Sequence, residues 1–571
     1  MKLGIDKSNG FVVGAIAAVM FAATVAQAQP TLPMSLAIRN ADAVPGFAGE
    51  SWLATSSAFQ NPGIDLSGNI GYLGELADSA AITSANDAGY WYGAFGSMTN
   101  QVQEAGPLAP NLTGAVGDTF VSRQATDVSM SPNGNMWIGG TIGGAGVTTA
   151  NDQAIFVGQA GSIQKVYQEG DAVPLLVGTG SLQNPASSSS SLNYVNNAGQ
   201  TIVSGSVIGA GAPASPQNGG LWVASSGGLG LIYQRNTPLA AFPGGEIINT
   251  GGASSMNGSG TALVAGGFAV GAGGVVNEDS GYIMTGDGSG ALSLIARTNN
   301  PSGIAGIDYG VATVHPIFGA TFPFTAARQG LNNGGRSVFG AVNLQGAAIT
   351  AGVNDQALMT HSSGSTSIVA QTGDLAPGVG GDATLTNLAS GFTNAFLNNN
   401  DQVAWLGTMA GTDVTTANDV GLWQSQVGGG DTLVVREGDA VPGLVDTFFG
   451  APTNIIMNNL GQIVFTSSLT GGAVTSSDNW SIWMWDPTDG FFLAAREGNS
   501  YFGFTAGNPS YDTGANGEGG ANALNDLGCL AMKVPGTSGE VALVTTCIPE
   551  PTTGLLLLAV GGVGLIRRRR A

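Results

Sequence analysis

Residues 436–465 read REGDAVPGLVDTFFGAPTNIIMNNLGQIVF, and most of the chain is built from worn copies of this stretch. Two kinds of turn chemistry stand in it. Arg436-Glu437-Gly438-Asp439 and Pro442-Gly443 put glycines and a proline where the backbone must reverse. In Asn458-Asn459-Leu460-Gly461 the Asn side chain can close an Asx turn while Gly accepts positive φ. Short apolar runs flank these turns, Thr432-Leu433-Val434-Val435 before the first and Ile463-Val464-Phe465 after the second. Their length and β-branched content are those of strands.

Working outward, the first motif recurs at Arg39–Gly46, Gln103–Pro110, Gln168–Pro174, Gln234 onward, Arg297 onward, Gln371–Gly378 and Arg496–Gly503. Asp374 and Asp439 are 65 residues apart, and the 203 residues from Asp171 to Asp374 are close to three more units. The second motif recurs at Asn196–Val203, Asn257–Val264, Asn332–Phe339, Asn398–Trp405 and Asn525–Met532, with weaker versions from Ser131 and Asp65. A third, Ala417-Asn418-Asp419-Val420-Gly421-Leu422-Trp423, has relatives at Ala85–Trp91, Ala150–Phe156, Asn218–Trp222, Asn354–Met359 and Asp478–Trp483. A fixed period of this length means a repeat architecture.

Tandem Asn-x-x-Gly units ending in an Arg-Glu-Gly-Asp-like turn resemble the choice-of-anchor tandem repeat NxxGxxAF-containing proteins. The resemblance covers nearly the whole region between the termini and implies export and repeat architecture; it brings no activity and no catalytic residues. Asp401 stands where that pattern has Gly, and the first two units lack the leading Asn.

Each unit reads as four strands, which predicts an all-β fold: a β-propeller of about eight four-stranded blades, with seven as the alternative count. A blade is covered on both faces, and successive apolar residues such as Val403-Ala404-Trp405-Leu406 fit that better than an alternating pattern. The two turn series are out of phase. Met34–Arg39 has no blade before it, and the last unit stops after Glu540–Thr545 without a fourth strand. The N-terminal strand is therefore expected to complete the C-terminal blade and remove two exposed edges. A linear β-solenoid is the rival, although solenoid repeats are mostly shorter.

The termini carry addresses. Lys2 and Lys7, the apolar run Phe11–Val25 and the small residues Ala26 and Ala28 around Gln27 predict a signal peptide over 1–28, cleaved before Gln29; a retained N-terminal anchor is the alternative. The last residues are Ile548-Pro549-Glu550-Pro551, the uncharged run Thr552–Ile566, then Arg567, Arg568, Arg569 and Arg570. The apolar run falls short of the ~20 residues of a full span, but long cationic side chains can snorkel to the headgroups, so a C-terminal transmembrane helix is expected. The order resembles the PEP-CTERM sorting domain. That resemblance implies an exosortase-type membrane protease as partner and Pro549, Glu550, Pro551 and the four arginines as the sorting signal. A plain tail anchor is the other reading. The expected division is thus 1–28 signal, 29–547 propeller and 548–571 sorting segment, in a protein held at the membrane or released to the cell surface.

Composition bounds the rest. The 571 residues include 93 glycines, are 43% hydrophobic and only 9% charged. No Gly-X-Y period exists, which excludes collagen. Between the termini 10 basic residues face 35 acidic ones, a net charge near −25 that argues against nucleic acid. Cys529 and Cys547 are the two cysteines. They fall on consecutive strands, where an oxidising compartment permits a cross-strand disulfide; two free thiols are the alternative, because Cys547 lies close to the anchor.

No catalytic constellation is recognisable. His315 and His361 have no metal-ligand spacing, and no nucleophile elbow or phosphate loop is present. The acids Asp171, Asp374, Asp439, Glu169, Glu437 and Glu497 occupy equivalent repeat positions, and a residue present in every unit serves unit geometry. The expectation is a protein that is not an enzyme, with a structural, adhesive or extracellular-matrix role. The alternatives are a polysaccharide-binding propeller, calcium-dependent through Asn86-Asp87, Asn151-Asp152, Asn354-Asp355 and Asn418-Asp419, and a glycoside hydrolase or lyase. Tryptophans 91, 137, 222, 405, 423, 480, 483 and 485 could stack on sugars, though blade cores take aromatics first.

Overall fold

In every Asn-x-x-Gly turn the fourth residue takes a left-handed backbone: Gly68, Gly134, Gly199, Gly260, Gly335, Gly461 and Gly528 lie at φ between 71° and 84°. Asp401 makes the same bend without being glycine, at φ 59°. In this computed structural model, residues 31–549 are described except 95, 108–111, 114–116, 118, 124–127, 176–178, 184–193, 210–217, 240–241, 243, 312, 316–318 and 322–323.

The described fold is all-β, with single 3-10 turns at Ala272–Gly274 and Phe392–Asn394. Seven sheets have three or more strands; the largest, of nine, is two ladders that meet at the parallel pair Gln329 and Phe396. Taken separately these make eight ladders, one for each Asn-type turn. A representative one is Ile248–Met256, Ala262–Phe268, Gly281–Gly286 and Leu292–Arg297, antiparallel and in chain order. Four others have five strands: Leu112–Thr113 and Ala172–Pro174 are added to the second and third, and in the sixth and seventh the first strand is split, into Thr384–Asn387 with Phe396–Leu397 and Thr447–Phe449 with Thr453–Met457.

The eighth ladder departs from four strands. Cys529–Pro535 pairs with Val541–Cys547, whose other edge is taken by Met34–Arg39, with Leu36 opposite Val544 and Arg39 opposite Ala542. Where a first strand is expected, residues 504–524 contribute only isolated bridges, such as Ser510 to Lys533 and Leu524 to Leu530. The physical reason is the intervening segment, which leaves the sheet altogether. Cys529 and Cys547 face each other across this hairpin and are bonded, S–S 2.02 Å.

Strands next to the Asn-type turns are buried on successive residues, as in Ile463–Ser467, because apolar clusters cover both faces. One cluster joins Leu73 and Tyr90 to Ile138 and Phe156 of the next ladder. Another joins Ile202 and Leu221 to Val264 and Tyr282. Between the last ladder and the first, Ile38, Ala531 and Leu543 pack on Trp52, Ile70 and Trp91. Glycine makes room for the third motif's indole: a Cβ on Gly421 would lie 2.3 Å from the Trp423 ring.

Among the described residues no helix is long and apolar enough to cross a membrane. The expected transmembrane run 552–566, Glu550, Pro551 and the four arginines lie outside the described residues, as do Ala26 and Ala28 of the signal. Pro549 is the last described residue.

Candidate functional site

The Asn-type turns form one connected surface. Within each turn the leading side-chain oxygen accepts the backbone N–H four residues on, as Asn458 does from Gln462 at 3.0 Å. Its amide nitrogen is thereby aimed outward, at the next turn. Asn196 donates to the Asn257 carbonyl at 3.3 Å, Asn257 to Asn332 at 3.1 Å and Asn332 to Asn398 at 3.1 Å. Asn398 donates to Asn458 at 3.0 Å, Asn458 to Asn525 at 2.9 Å and Asn525 to Asp65 at 2.8 Å. The second unit has Ser131 in the leading place, and Asn135 supplies the amide instead, 3.0 Å from the Asn196 carbonyl. The Leu66 N–H, 2.8 Å from the Pro132 carbonyl, joins the first turn to the second. The circuit returns to where it started.

A second run of bonds passes through the residue after the leading position from the fourth turn to the eighth. Its backbone N–H donates to the side chain of its counterpart in the next turn: Gly258 to Asn333 at 2.7 Å, Asn333 to Asn399 at 2.8 Å, Asn399 to Asn459 at 2.8 Å and Asn459 to Asp526 at 2.9 Å. In the second turn the residue after the leading Ser131 is Pro132, which has no N–H, and Asn133 donates instead, to Asn197 at 2.9 Å. Asn197 meets a gap, since Gly258 has no side chain. Glu518 fills it, its carboxylate accepting the Asn197 N–H at 2.6 Å and the Asn333 amide at 3.2 Å.

Glu518 belongs to the segment that left the eighth ladder. Its own carbonyl accepts from Asn399 at 2.7 Å. Asn522 on the same segment accepts the Met130 N–H at 2.7 Å and donates to the Val128 carbonyl at 2.6 Å, and its carbonyl takes the Ile64 N–H at 2.9 Å. Residues 512–522 thus touch turns from the first, second, third, fifth and sixth ladders. Four of these residues are glycines, and a Cβ on Gly519 would come 2.4 Å from Asn399 Oδ1.

The opposite ends of the ladders account for the other two motifs. In the third motif Asn86, Asn151, Asn354 and Asn418 each accept a threonine N–H, from Thr83, Thr148, Thr350 and Thr415, at 2.6–2.7 Å. The four asparagine oxygens of the Asn-Asp pairs are therefore engaged in turn geometry. Among the described residues no group of three or more His, Cys, Asp or Glu could hold a metal. The Gln or Arg that opens the first motif clamps the third: Gln103 to the Asn86 carbonyl at 2.6 Å, Gln371 to Asn354 at 2.6 Å and Arg436 to Asn418 at 2.6 Å. The indole N–H then pins the preceding Pro turn, with Trp91 donating to Pro45 at 3.2 Å, Trp222 to Pro174 at 2.9 Å and Trp423 to Pro377 at 2.8 Å.

The candidate acids sit in this scaffold without converging. Asp171 pairs with Lys165 at 2.8 Å, and Asp439 accepts the Arg436 N–H at 2.7 Å. Glu169 is buried, and Glu497 accepts the Trp480 N–H at 3.3 Å. Burial raises the Asp374 carboxyl above its ordinary range. Glu437 is raised by burial and by the neighbouring Asp419, and Glu104 by burial with Asp87 adding to it. The acid pair thus recurs between motifs one and three. His361 is half-buried, its imidazole pKa lowered by burial, and lies 3.1 Å from Thr366 Oγ1. His315 falls in the separate short strand Thr313–His315. Trp91, Trp137, Trp222, Trp405, Trp423 and Trp483 are fully buried and Trp485 nearly so, which leaves Trp480 half-buried. Sequence reasoning missed Glu518 and Asn522, which lie in a Gly/Asn-rich stretch with no strand periodicity.

Two family profiles match. One, described as a family of unknown function (DUF7453), matches residues 9–214 and again 175–555; the other, the PEP-CTERM protein-sorting motif, matches 548–570. The larger match is to this family and not to the NxxGxxAF family that the repeats resemble. The sorting motif marks an exported protein processed at the membrane by an exosortase. No curated protein matches the sequence. Solved structures that match it include the Pyrococcus horikoshii acylaminoacyl peptidase, at 10% identity and TM-score 0.33, covering 78% of this chain and 54% of the other. Prolyl oligopeptidase B from Galerina marginata matches at 10% identity and TM-score 0.35, with coverage of 78% and 53%. A PL25 ulvan lyase matches at 10% identity and TM-score 0.26, with coverage of 77% and 97%. The chain spans about half the length of the two peptidases. None of these likenesses bears on activity.

Proposed function

The chain belongs to the DUF7453 family, and from that premise we propose that it is an exported structural or adhesive surface protein, not an enzyme, whose eight ladders are the blades of one closed propeller. The hydrogen bond from Asn525 to the Asp65 carbonyl carries this reading, because it links the last turn to the first. The same closure is supported by the pairing of Met34–Arg39 with Val541–Cys547 and by the apolar cluster that spans both. A surface protein of this kind gains rigidity from a circuit of bonded amides, since each satisfied buried N–H avoids a cost of about 1–3 kcal/mol. Asp171, Asp439, Glu497 and the leading asparagines are bonded within that geometry, which supports the non-enzymatic reading. The resemblance to exported NxxGxxAF repeat proteins points the same way.

The test is made in the native host. Intact cells are probed with an antibody to the repeat region, and surface attachment of a deletion strain is scored. The reading expects antibody-accessible protein, intracellular retention or altered processing when Pro549–Pro551 is removed, and weakened attachment or matrix assembly in the deletion strain. Unchanged attachment together with turnover of a surface polymer by the purified protein would replace it with a hydrolase or lyase.

A further inference from the structure

A polar cleft of about 290 Å³ opens between the second and third ladders, beside the Asn-type turns. Five carboxamide side chains line it, Asn133, Asn135, Gln159, Gln164 and Asn197, and no charged side chain does. Asn133 is engaged at both ends, its oxygen accepting from Ser131 and its nitrogen donating to the Asn197 carbonyl, and three of the others are held from one side and open on the other. Gln159 donates to the Asn133 carbonyl at 2.8 Å and keeps its oxygen. Asn197 accepts the Asn133 N–H at 2.9 Å and keeps its nitrogen. Asn135 donates at 3.0 and 3.1 Å to the carbonyls of Asn196 and Asn197 and keeps its oxygen. Gln164 is exposed, and both ends of its amide are open. The cleft therefore presents acceptors and donors side by side, in fixed orientations and without charge.

The opening has a local cause. At four other turns, those of Gly134, Gly260, Gly461 and Gly528, a polar side chain from the preceding ladder sits under the pivot glycine, whereas Gly68 and Gly335 are open there. A Cβ on Gly461 would lie 3.1 Å from Gln424 Nε2, on Gly134 2.8 Å from the Tyr92 hydroxyl, and on Gly528 2.7 Å from Gln462 Oε1. Gln424 also donates to the Gly461 carbonyl at 2.7 Å. The residue equivalent to Gln424 in the second ladder is Val157, one place after the strand's central aromatic. Nothing comes closer to a Cβ on Gly199 than Val157 Cγ1, at 3.7 Å. Valine cannot make the bridge, so the space stays open and amide-lined.

We propose that this cleft binds a neutral saccharide, whose vicinal hydroxyls both donate and accept at hydrogen-bonding distance. A charged sugar would find no counter-ion there and would lose hydration on entry. The inference rests on the surface-adhesive reading and names what the adhesive surface would hold.

The test is calorimetric titration of the exported full chain with neutral tetrasaccharides from dextran, cellulose and galactan, and with an alginate tetrasaccharide as the acidic comparison. At least one neutral probe should bind saturably and outcompete the alginate probe. Gln164→Ala removes an exposed amide with no bond among the described residues, and should weaken that binding tenfold or more. Val157→Gln copies Gln424, should keep or raise the thermal midpoint, and should abolish binding by refilling the cleft. No binding by any neutral probe, preference for alginate, or binding that survives both substitutions would overturn the proposal. Antibody accessibility and attachment of the deletion strain are read separately, so the surface reading stands or falls on its own.

Discussion

Asn525 Nδ2 lies 2.8 Å from the carbonyl oxygen of Asp65, across 460 positions of sequence. The bond is buried. Asn525→Ala would leave that carbonyl with only the Gly68 N–H, at 3.2 Å, and would also remove the acceptor of the Cys529 N–H, which lies 2.9 Å from Asn525 Oδ1. A loss of about 1–3 kcal/mol is expected in urea unfolding. Leu460→Ala, at an exposed site on the neighbouring turn, should stay within about 0.5 kcal/mol.

Glu518 and Gly258 make a sharper test, because one substitutes for what the other lacks. Glu518→Ala removes the acceptor of the Asn197 N–H and should cost about 1–3 kcal/mol. Gly258→Asn alone should also destabilise, since its Cβ would come 2.5 Å from Glu518 Oε2. Together the two should recover most of the loss, the new Asn supplying the oxygen that its counterparts supply elsewhere. Additive losses in the double variant would show that Glu518 does not complete the second run of bonds.

Asp401 holds a left-handed backbone at φ 59° and accepts the Asn332 amide at 2.8 Å. Asp401→Ala keeps the strain and loses the bond, so about 1–2 kcal/mol of destabilisation is expected. Asp401→Gly relieves the strain and should cost less. Thermal midpoints of the two variants, compared side by side, check the order.

Reducing the Cys529–Cys547 disulfide, which closes a loop of 18 positions, should cost about 3 kcal/mol on the loop-entropy account. The loss should appear as a lower thermal midpoint in reductant, and Cys529→Ser with Cys547→Ser should reproduce it without reductant.

Stability should rise on mild acidification. The raised carboxyls of Glu437, Glu104 and Asp374 bind their protons more tightly folded than unfolded, so folding opposes their ionised forms, and that cost fades as pH falls through the raised values. Asp287 and Asp478 are lowered, chiefly by hydrogen bonds from Ser289 and from the Thr475 backbone respectively. Their contribution is present above the unfolded carboxylate value and is lost as pH falls through the lowered ones. The thermal midpoint should therefore climb from about pH 7.5 to about pH 5 and drop below about pH 4. Asp419→Asn, which removes the charge beside Glu437, should flatten the climb; a profile that only falls on acidification would contradict the assignment.

Much of this arrangement is legible in the sequence because turn chemistry is local. Asn458 and Gly461 fix their bend within four residues, and the same pair recurs often enough to count ladders and to notice that Met34–Arg39 lacked a partner. The bond between Trp423 and Pro377 was not legible. Both residues stood in recognised motifs, but nothing in either motif says that one unit's indole reaches the previous unit's turn. Segment 512–522 was less legible still. It reads as a glycine-rich loop, and its role comes from contacts with five other ladders, which no local pattern encodes. Glu518 could have been suspected from one signal, the Gly258 that interrupts a column of side-chain acceptors.

The placement of the disulfide decides how the fold answers traction. Any tether at the C-terminal tail pulls first on Cys547, the end of a strand flanked on both sides by antiparallel partners. The sulfur link hands that pull directly to Cys529, so two strands share the load before a single ladder hydrogen bond must break. Peeling from the tail end is thereby blocked, and the remaining route is shear along the length of Val541–Cys547, where the bonds resist together.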